Sequence, residues 1–346
     1  MEFKEKFFNL VSPANSILIT THKDPDADAI CSLLALFFVL SQKYPDKDIQ
    51  MMVASLINPR FSSFANFEKV QQVKDLAEHM AKFDLVIMLD ASYDQRFTEN
   101  FAKYHAYAGK RIAIDHHPDK GEKFDLKLID ENVTSTAELL YFNLLSDEPA
   151  LPAPVGAALL AGLMADTGNF TYLNASRARV LGMAERLVRE GDINVDLLTS
   201  LFSGYSERVF ELLKHYMGNA KIEEISGWPK FIYSYLDRQF FEAGNFTTLE
   251  TEEATGLFTD YLRALHGVPW GFVARNYGPH VKVSFRSAAK SVSVRAIAQG
   301  LGRGSGHEHA AGAKFLAASG QAVSVDEAIL AIKNWLNNNS PVFLDF

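Results

Sequence analysis

The sequence predicts an α/β fold: a mainly parallel sheet with helices on both faces, then a smaller mixed α/β C-terminal domain. Three observations predict it. Short apolar runs of strand length alternate with helical stretches through the first half. At 346 residues the chain exceeds what one hydrophobic core comfortably organises. Beyond about residue 220 the pattern changes to strands and helices in mixed order.

In chain order, residues 16–20 (SILIT) read as a buried strand, followed by a polar turn and an apolar helix over 29–44. Residues 49–54, 84–89 and 111–114 are further strands, and 67–83 has helical spacing. Alternation of this kind argues parallel strands covered on both sides. Residues 154–165 form a helix whose proline sits near the first turn, where a missing N–H costs little. Another helix covers 177–189 and ends at Glu190-Gly191-Asp192. The expected organisation is a metal-binding domain over 1–190, a helical linker over 191–220 and a substrate domain over 221–346. In the last, 231–235, 272–275 and 280–286 read as strands, and 294–300 and 325–336 as helices.

Hydrophobic content of 48% and charged content of 22% are those of a globular enzyme. The first residues carry Glu2, Lys4, Glu5 and Lys6 and lack the plan of a secretory signal. The longest apolar run, 33–40, is far short of the ~20 residues of a spanning helix. A cytoplasmic location without membrane contact is expected. The lone Cys31 excludes an intramolecular disulfide and a thiolate metal cluster. The net charge of −8 argues against a protein that grips long nucleic acid. From Val268 onward, eight Lys or Arg face four Asp or Glu, a balance of +4 that leaves −12 on the rest. An acidic part and a basic part suit metals and an anionic substrate, although scattered surface charge gives the same sums.

Four acidic or histidine clusters fall at or just beyond the ends of these segments, where open α/β sheets bind ligands. After SILIT come His22, Asp24, Asp26 and Asp28. Turn and cap preferences account for one or two of these aspartates, but crowding all three calls for a cation. Asp90 ends the run DLVIML, and Asp115-His116-His117 follows RIAI. Asp166 closes the helix over 154–165, where the macrodipole disfavours a carboxylate. Carboxylates with a minority of imidazoles favour a hard or borderline divalent ion, Mn²⁺ first, then Mg²⁺, with zinc less suited. At least six ligand candidates suit two ions about 3.5–4 Å apart.

The second half offers its own anion site. Four glycines and Ser305 surround Arg303 in residues 300–307, with His307, His309 and small residues following. Gly304 and Gly306 would let backbone N–H groups approach an oxyanion, with a helix N-terminus behind them, although glycine-rich stretches are often plain loops. Arg286 lies nearby in sequence as a planar fork for phosphate, and Arg275 is a weaker candidate. The 26 Phe sit mostly in apolar runs and are read as core.

His22-x-x-x-Asp26-x-Asp28, Asp90, Asp115-His116-His117 and Asp166, in this order, resemble the four motifs of the DHH phosphoesterases. Residues 304–312 (GSGHEHAAG) resemble the GGGH-x-x-AAG signature of the DHH-associated nucleotide-binding domain, with Ser305 where glycine is usual. The match runs from about Asn15 to Ala313 and is nearest to the nanoRNase and pAp-phosphatase group.

The resemblance implies that His22 and Asp26 hold one metal, that Asp28, His116 and Asp166 hold another, and that Asp90 bridges them. It implies attack of a bridging hydroxide on phosphorus, with Asp90, His116 and His117 catalytic and Asp115 orienting the imidazoles. His117 would meet the substrate phosphate or support the ligands. Arg286, Arg303, Gly304, Gly306, His307 and His309 would recognise substrate. Expected substrates are very short oligoribonucleotides, dinucleotides such as pApA, and pAp, with no long duplex. Cyclic-dinucleotide hydrolysis, pyrophosphate hydrolysis and a silent nucleotide sensor stay open, as does an oligomeric state.

Overall fold

The computed structural model describes residues 2–171, 173–316 and 323–344. The chain divides between Gly204 and Tyr205 into two compact units. The first unit runs α1 (Glu2–Val11), β1 (Ser16–Thr21), α2 (Ala27–Lys43), β2 (Asp48–Val53), β3 (Val70–Gln72), α3 (Ala77–Met80), β4 (Leu85–Leu89), α4 (Phe101–His105), β5 (Lys110–Asp115) and β6 (Leu126–Ile129). It ends with α5 (Thr136–Leu140), which widens into one π turn over Tyr141–Leu145, then α6 (Ala153–Asp166), α7 (Arg179–Gly191) and α8 (Val195–Ser203).

The six strands lie in the order β3-β2-β1-β4-β5-β6, all pairs parallel. The chain winds outward from β1 to β3, then returns to place β4 beside β1. That reversal is a switch point, where two connections leave in opposite directions and open a crevice at the carboxyl ends of the strands. Alternate side chains feed two cores. Ile17, Ile19, Ile87 and Leu89 point to one with α1, α2, α6 and α7, while Leu18, Val86 and Met88 point to another with α3 and α4. The mainly parallel sheet with helices on both faces is therefore present.

One stretch departs from its pattern. Residues 67–83, spaced like one helix, hold a short 3₁₀ turn, strand β3 and the one-turn helix α3. Asn66 in the left-handed region breaks the start, and residues 70–72 pair with Met51–Val53. Parallel pairing at the sheet edge outweighs local helical spacing.

The second unit runs α9 (Glu207–Gly218), β7 (Lys221–Glu223), β8 (Phe231–Leu236), α10 (Arg238–Ala243), α11 (Thr248–Ala264), β9 (Trp270–Asn276), β10 (His280–Ser287), α12 (Val294–Gly300), β11 (Gly304–Gly306), β12 (Ala310–Leu316) and α13 (Val325–Asn337). Its sheet order is β11-β12-β10-β9-β8-β7, mixed because only β8 and β9 pair in parallel. Phe231, Trp270, Phe272 and Phe285 pack with α12 and α13, and Ile232, Leu236 and Val273 with α9 and α11. The helical stretch 191–220 is shared out: Leu198 joins the first unit's core, while Val209, Leu212 and Tyr216 join the second's.

The glycine-rich segment is a β-hairpin, not a loop leading into a helix. Gly304 pairs with Ala313 and Gly306 with Ala311, and His307 and Ala310 exchange backbone hydrogen bonds around Glu308 and His309. A methyl on Gly304 would stand 1.8 Å from the Gly312 carbonyl oxygen, and one on Gly306 2.5 Å from that of Ala310. Close strand approach therefore explains these glycines. Gly304→Ala should destabilise the second unit by roughly 1–3 kcal/mol, seen as a lower denaturant midpoint. The control, Gly182→Ala on the exposed face of α7 with nothing within 4 Å, should not destabilise. An unchanged midpoint for Gly304→Ala contradicts this packing.

Candidate metal centre

The crevice collects the acidic and histidine residues of the first unit from separate elements. His22 follows β1, Asp26 caps α2, and Asp28 lies in the first turn of that helix. Asp90 follows β4, Asp115 ends β5, and Asp166 ends α6. Three sets of ligand atoms each lie within 4.8 Å of one another: His22, Asp26, Asp90; Asp28, His116, Asp166; and Asp90, His116, His117.

Asp90 stands at the centre. Its backbone is in the left-handed region, φ 61°, which aspartate tolerates better than most residues and which marks functional sites. One oxygen, Oδ2, lies 3.3 Å from His22 Nε2, and the other, Oδ1, lies 3.4 Å from His116 Nε2. His22 Nδ1 is 2.7 Å from the Lys23 carbonyl, which fixes the proton on Nδ1 and turns Nε2 toward the carboxylates. Asp115 Oδ1 accepts from the His117 backbone N–H at 3.0 Å and from its Nδ1 at 2.9 Å, which orients that ring.

Asp28 is fully buried and accepts backbone N–H bonds from Thr136 (2.6 Å) and Ala137 (3.0 Å) at the start of α5. Thr136 also donates its hydroxyl to Asp90 Oδ1 at 2.8 Å. Gly162 on α6 faces Asp28; a methyl there would stand 2.7 Å from Oδ1. Neither Thr136 nor Gly162 emerges from the sequence reading. The readable signal was Ser135 with Glu138 three residues later, a helix-start pattern that places the α5 N-terminus.

The electrostatics describe a site short of positive charge. Burial and the charges of Asp166 and Asp90 hold Asp28 well above the usual carboxylate range. Asp26 is exposed as a residue, yet loss of water around its carboxyl and the charges of Asp90 and Asp166 push it up to about 6. For His116, burial acts downward, but the close carboxylates of Asp166 and Asp90, with Asp28 behind them, prevail and push it up to about 11. Burial would raise Asp90, but His116 and His22 hold it below the usual range.

Two buried atoms add to this. His116 Nε2 is 3.1 Å from Asp166 Oδ2 but forms no aligned hydrogen bond, and Asp115 Oδ2 has no hydrogen-bond partner. Carboxylate oxygens, imidazole nitrogens and an unbonded Nε2 fit a hard or borderline divalent cation.

The second unit gathers only some of its expected residues. Arg286 is opposite Ala310 in the β10–β12 register, so it neighbours the hairpin tip carrying His307 and His309. Its Nη1 donates to the Phe285 carbonyl at 2.9 Å, and His309 Nδ1 lies 3.3 Å from Ser287 Oγ. Arg303 sits away from the tip, its guanidinium 5.1 Å over the Phe315 ring. The side chain of Ser305 lies outside the described residues. Arg275 is fully buried, 2.6 Å from Glu252 and donating to Ser284 Oγ at 2.6 Å, so it is an internal brace rather than a phosphate contact.

Residues 16–165 match the family described as DHH family, N-terminal domain. The first unit is thus similar to the N-terminal domain of the DHH family. Its Thermus thermophilus relative, a bifunctional oligoribonuclease and PAP phosphatase, is 29% identical over 86% of this chain and 83% of its own. The Bacillus subtilis protein of the same name is 25% identical over 90% of this chain and 93% of its own. An exopolyphosphatase-related protein from Bacteroides fragilis shares the fold, with a TM-score of 0.83 at 21% identity over 97% of this chain and 96% of its own.

A cation at this centre has to displace protons. His116 holds its proton up to about pH 11 and Asp26 up to about pH 6, whereas ligation needs the free imidazole and the carboxylate. Mn²⁺ binding should therefore release protons at neutral pH and weaken as pH falls. Calorimetric titration in buffers of different ionisation enthalpy should give buffer-dependent heats with net proton release; identical heats in all buffers contradict the account.

Proposed function

We propose that the chain hydrolyses very short oligoribonucleotides and dinucleotides such as pApA, and removes a phosphate from pAp. The observation that carries the reading is the meeting of four separated sequence segments around Asp90, with one carboxylate oxygen toward His22 and the other toward His116. The similarity of residues 16–165 to the DHH family supports a phosphoesterase, and the names of the Thermus thermophilus and Bacillus subtilis relatives support the substrate class.

In this reading His22 and Asp26 hold one divalent ion, Asp28, His116 and Asp166 a second, and Asp90 serves both, with Mn²⁺ preferred and Mg²⁺ next. Bound there, such ions supply Lewis-acid polarisation of phosphoryl oxygens and acidify water. The chain's own residues do the rest. Asp115 holds His117 in one tautomer, and His117, partly exposed beside Asp90, meets the phosphate or the leaving oxygen. Arg286, His307 and His309, close together in the second unit, are the groups for a terminal phosphate or a base. No helix among the described residues is long and apolar enough to cross a membrane, and a cytoplasmic location accompanies this reading.

The test is turnover of pApA, RNAs of a few nucleotides, pAp and cyclic di-AMP, with Mn²⁺, with EDTA, and with Asp90→Ala. Mononucleotide release from pApA and short RNAs is expected, abolished by EDTA and reduced by more than about a hundredfold in the variant. Equal rates with EDTA contradict the metal reading. Turnover of cyclic di-AMP alone replaces the substrate class, and tight binding without turnover points to a nucleotide sensor.

A further inference from the structure

Thr136 touches the centre twice. Its backbone N–H donates to Asp28 Oδ2 at 2.6 Å, and its hydroxyl donates to Asp90 Oδ1 at 2.8 Å. These carboxylates come from different elements and fall in different sets, Asp28 with His116 and Asp166, Asp90 with His22 and Asp26 and again with His116 and His117. Thr136 is fully buried.

A carboxylate turns about its last torsion in a broad well, so its two oxygens need an external hold to face two partners. The hydroxyl of Thr136 supplies that hold for Asp90. With Oδ1 pinned, Oδ2 stays 3.3 Å from His22 while Oδ1 keeps the side toward His116.

The residue is itself anchored. Ser135 caps α5 by accepting from the Glu138 N–H at 3.1 Å. Glu138, buried, accepts from the Thr134 N–H and hydroxyl, both at 2.7 Å, and from Arg179 Nε at 2.7 Å. The start of α5 is thus fixed from both sides, and the hydrogen bond to Asp90 selects one of the few χ1 rotamers open to a β-branched Thr.

We propose that Thr136 is the positioning residue of the metal centre, tying Asp28 of one ligand set to Asp90 of the other and setting the plane of the Asp90 carboxylate. The assignment rests on the metal reading given above. It goes beyond it by making the hydroxyl of a residue that ligates nothing a determinant of metal affinity.

The test is Mn²⁺ binding to the full chain, followed by the loss of the free-ion paramagnetic resonance signal and thus independent of turnover. Thr136→Val keeps the branched shape and the backbone N–H but lacks the hydroxyl. Its affinity should fall roughly 10- to 100-fold, the usual consequence of removing a group that orients a ligand. Thr136→Ser restores a hydroxyl and should restore most of the affinity, an effect that general loosening of α5 does not produce. If Thr136→Val does not fold, Thr136→Ala gives the same comparison. Wild-type affinity in the folded Val or Ala variant, or equal loss in Ser and Val, overturns the assignment of Thr136 alone. A wild-type chain that binds no Mn²⁺ overturns the metal reading and this inference with it.

Discussion

Four aspartates, Asp26, Asp28, Asp90 and Asp166, converge at one end of a parallel sheet, and their mutual repulsion is the constraint that organises the first unit. Like charges in a partly buried site are tolerable only when each is given donors or a cation. The fold gives donors to most of them. Asp26 accepts from the Ala29 N–H at the start of α2, Asp28 from the start of α5, and Asp90 from Thr136. Histidines 22 and 116 stand between the carboxylates. Even so, Asp28 and His116 keep strongly raised proton affinities, the mark of a centre that still draws positive charge.

The same constraint explains the packing behind the site. Helix α6 carries Gly162 against Asp28 because a methyl would occupy the space of the carboxylate oxygen. Its Ala158, Ala161 and Leu163 are buried in the core shared with α2. The sheet order sets the crevice, and small side chains on α6 let the buried carboxylate remain in it. In the second unit small residues do other work: Gly304 and Gly306 let two strands meet closely.

The alternation of short apolar runs and helices already carries the parallel sheet, because strands buried on both faces must be apolar along their length. The clusters at 22–28, 90, 115–117 and 166 are legible because aspartate and histidine at such positions conflict with local energetics. Legibility ends where tertiary context decides. Strand β3 exists only because β2 offers it a partner, and the hairpin 304–316 looks like a loop because glycine signals flexibility and close packing alike. Thr136 gives no chemical signal, since its role depends on two carboxylates that precede it by 108 and 46 residues. Arg275 misleads for the complementary reason: a strand-end arginine suggests phosphate, yet Glu252 from α11 claims it.

In the proposed centre the converging carboxylates and imidazoles make two cation sites sharing Asp90. Anomalous diffraction from crystals grown with Mn²⁺ tests it most directly. The account predicts two peaks, one against His22 and Asp26, the other against Asp28, His116 and Asp166, with Asp90 contacting both. A single peak, or Mn²⁺ bound elsewhere while Asp90 keeps only its protein partners, would contradict it.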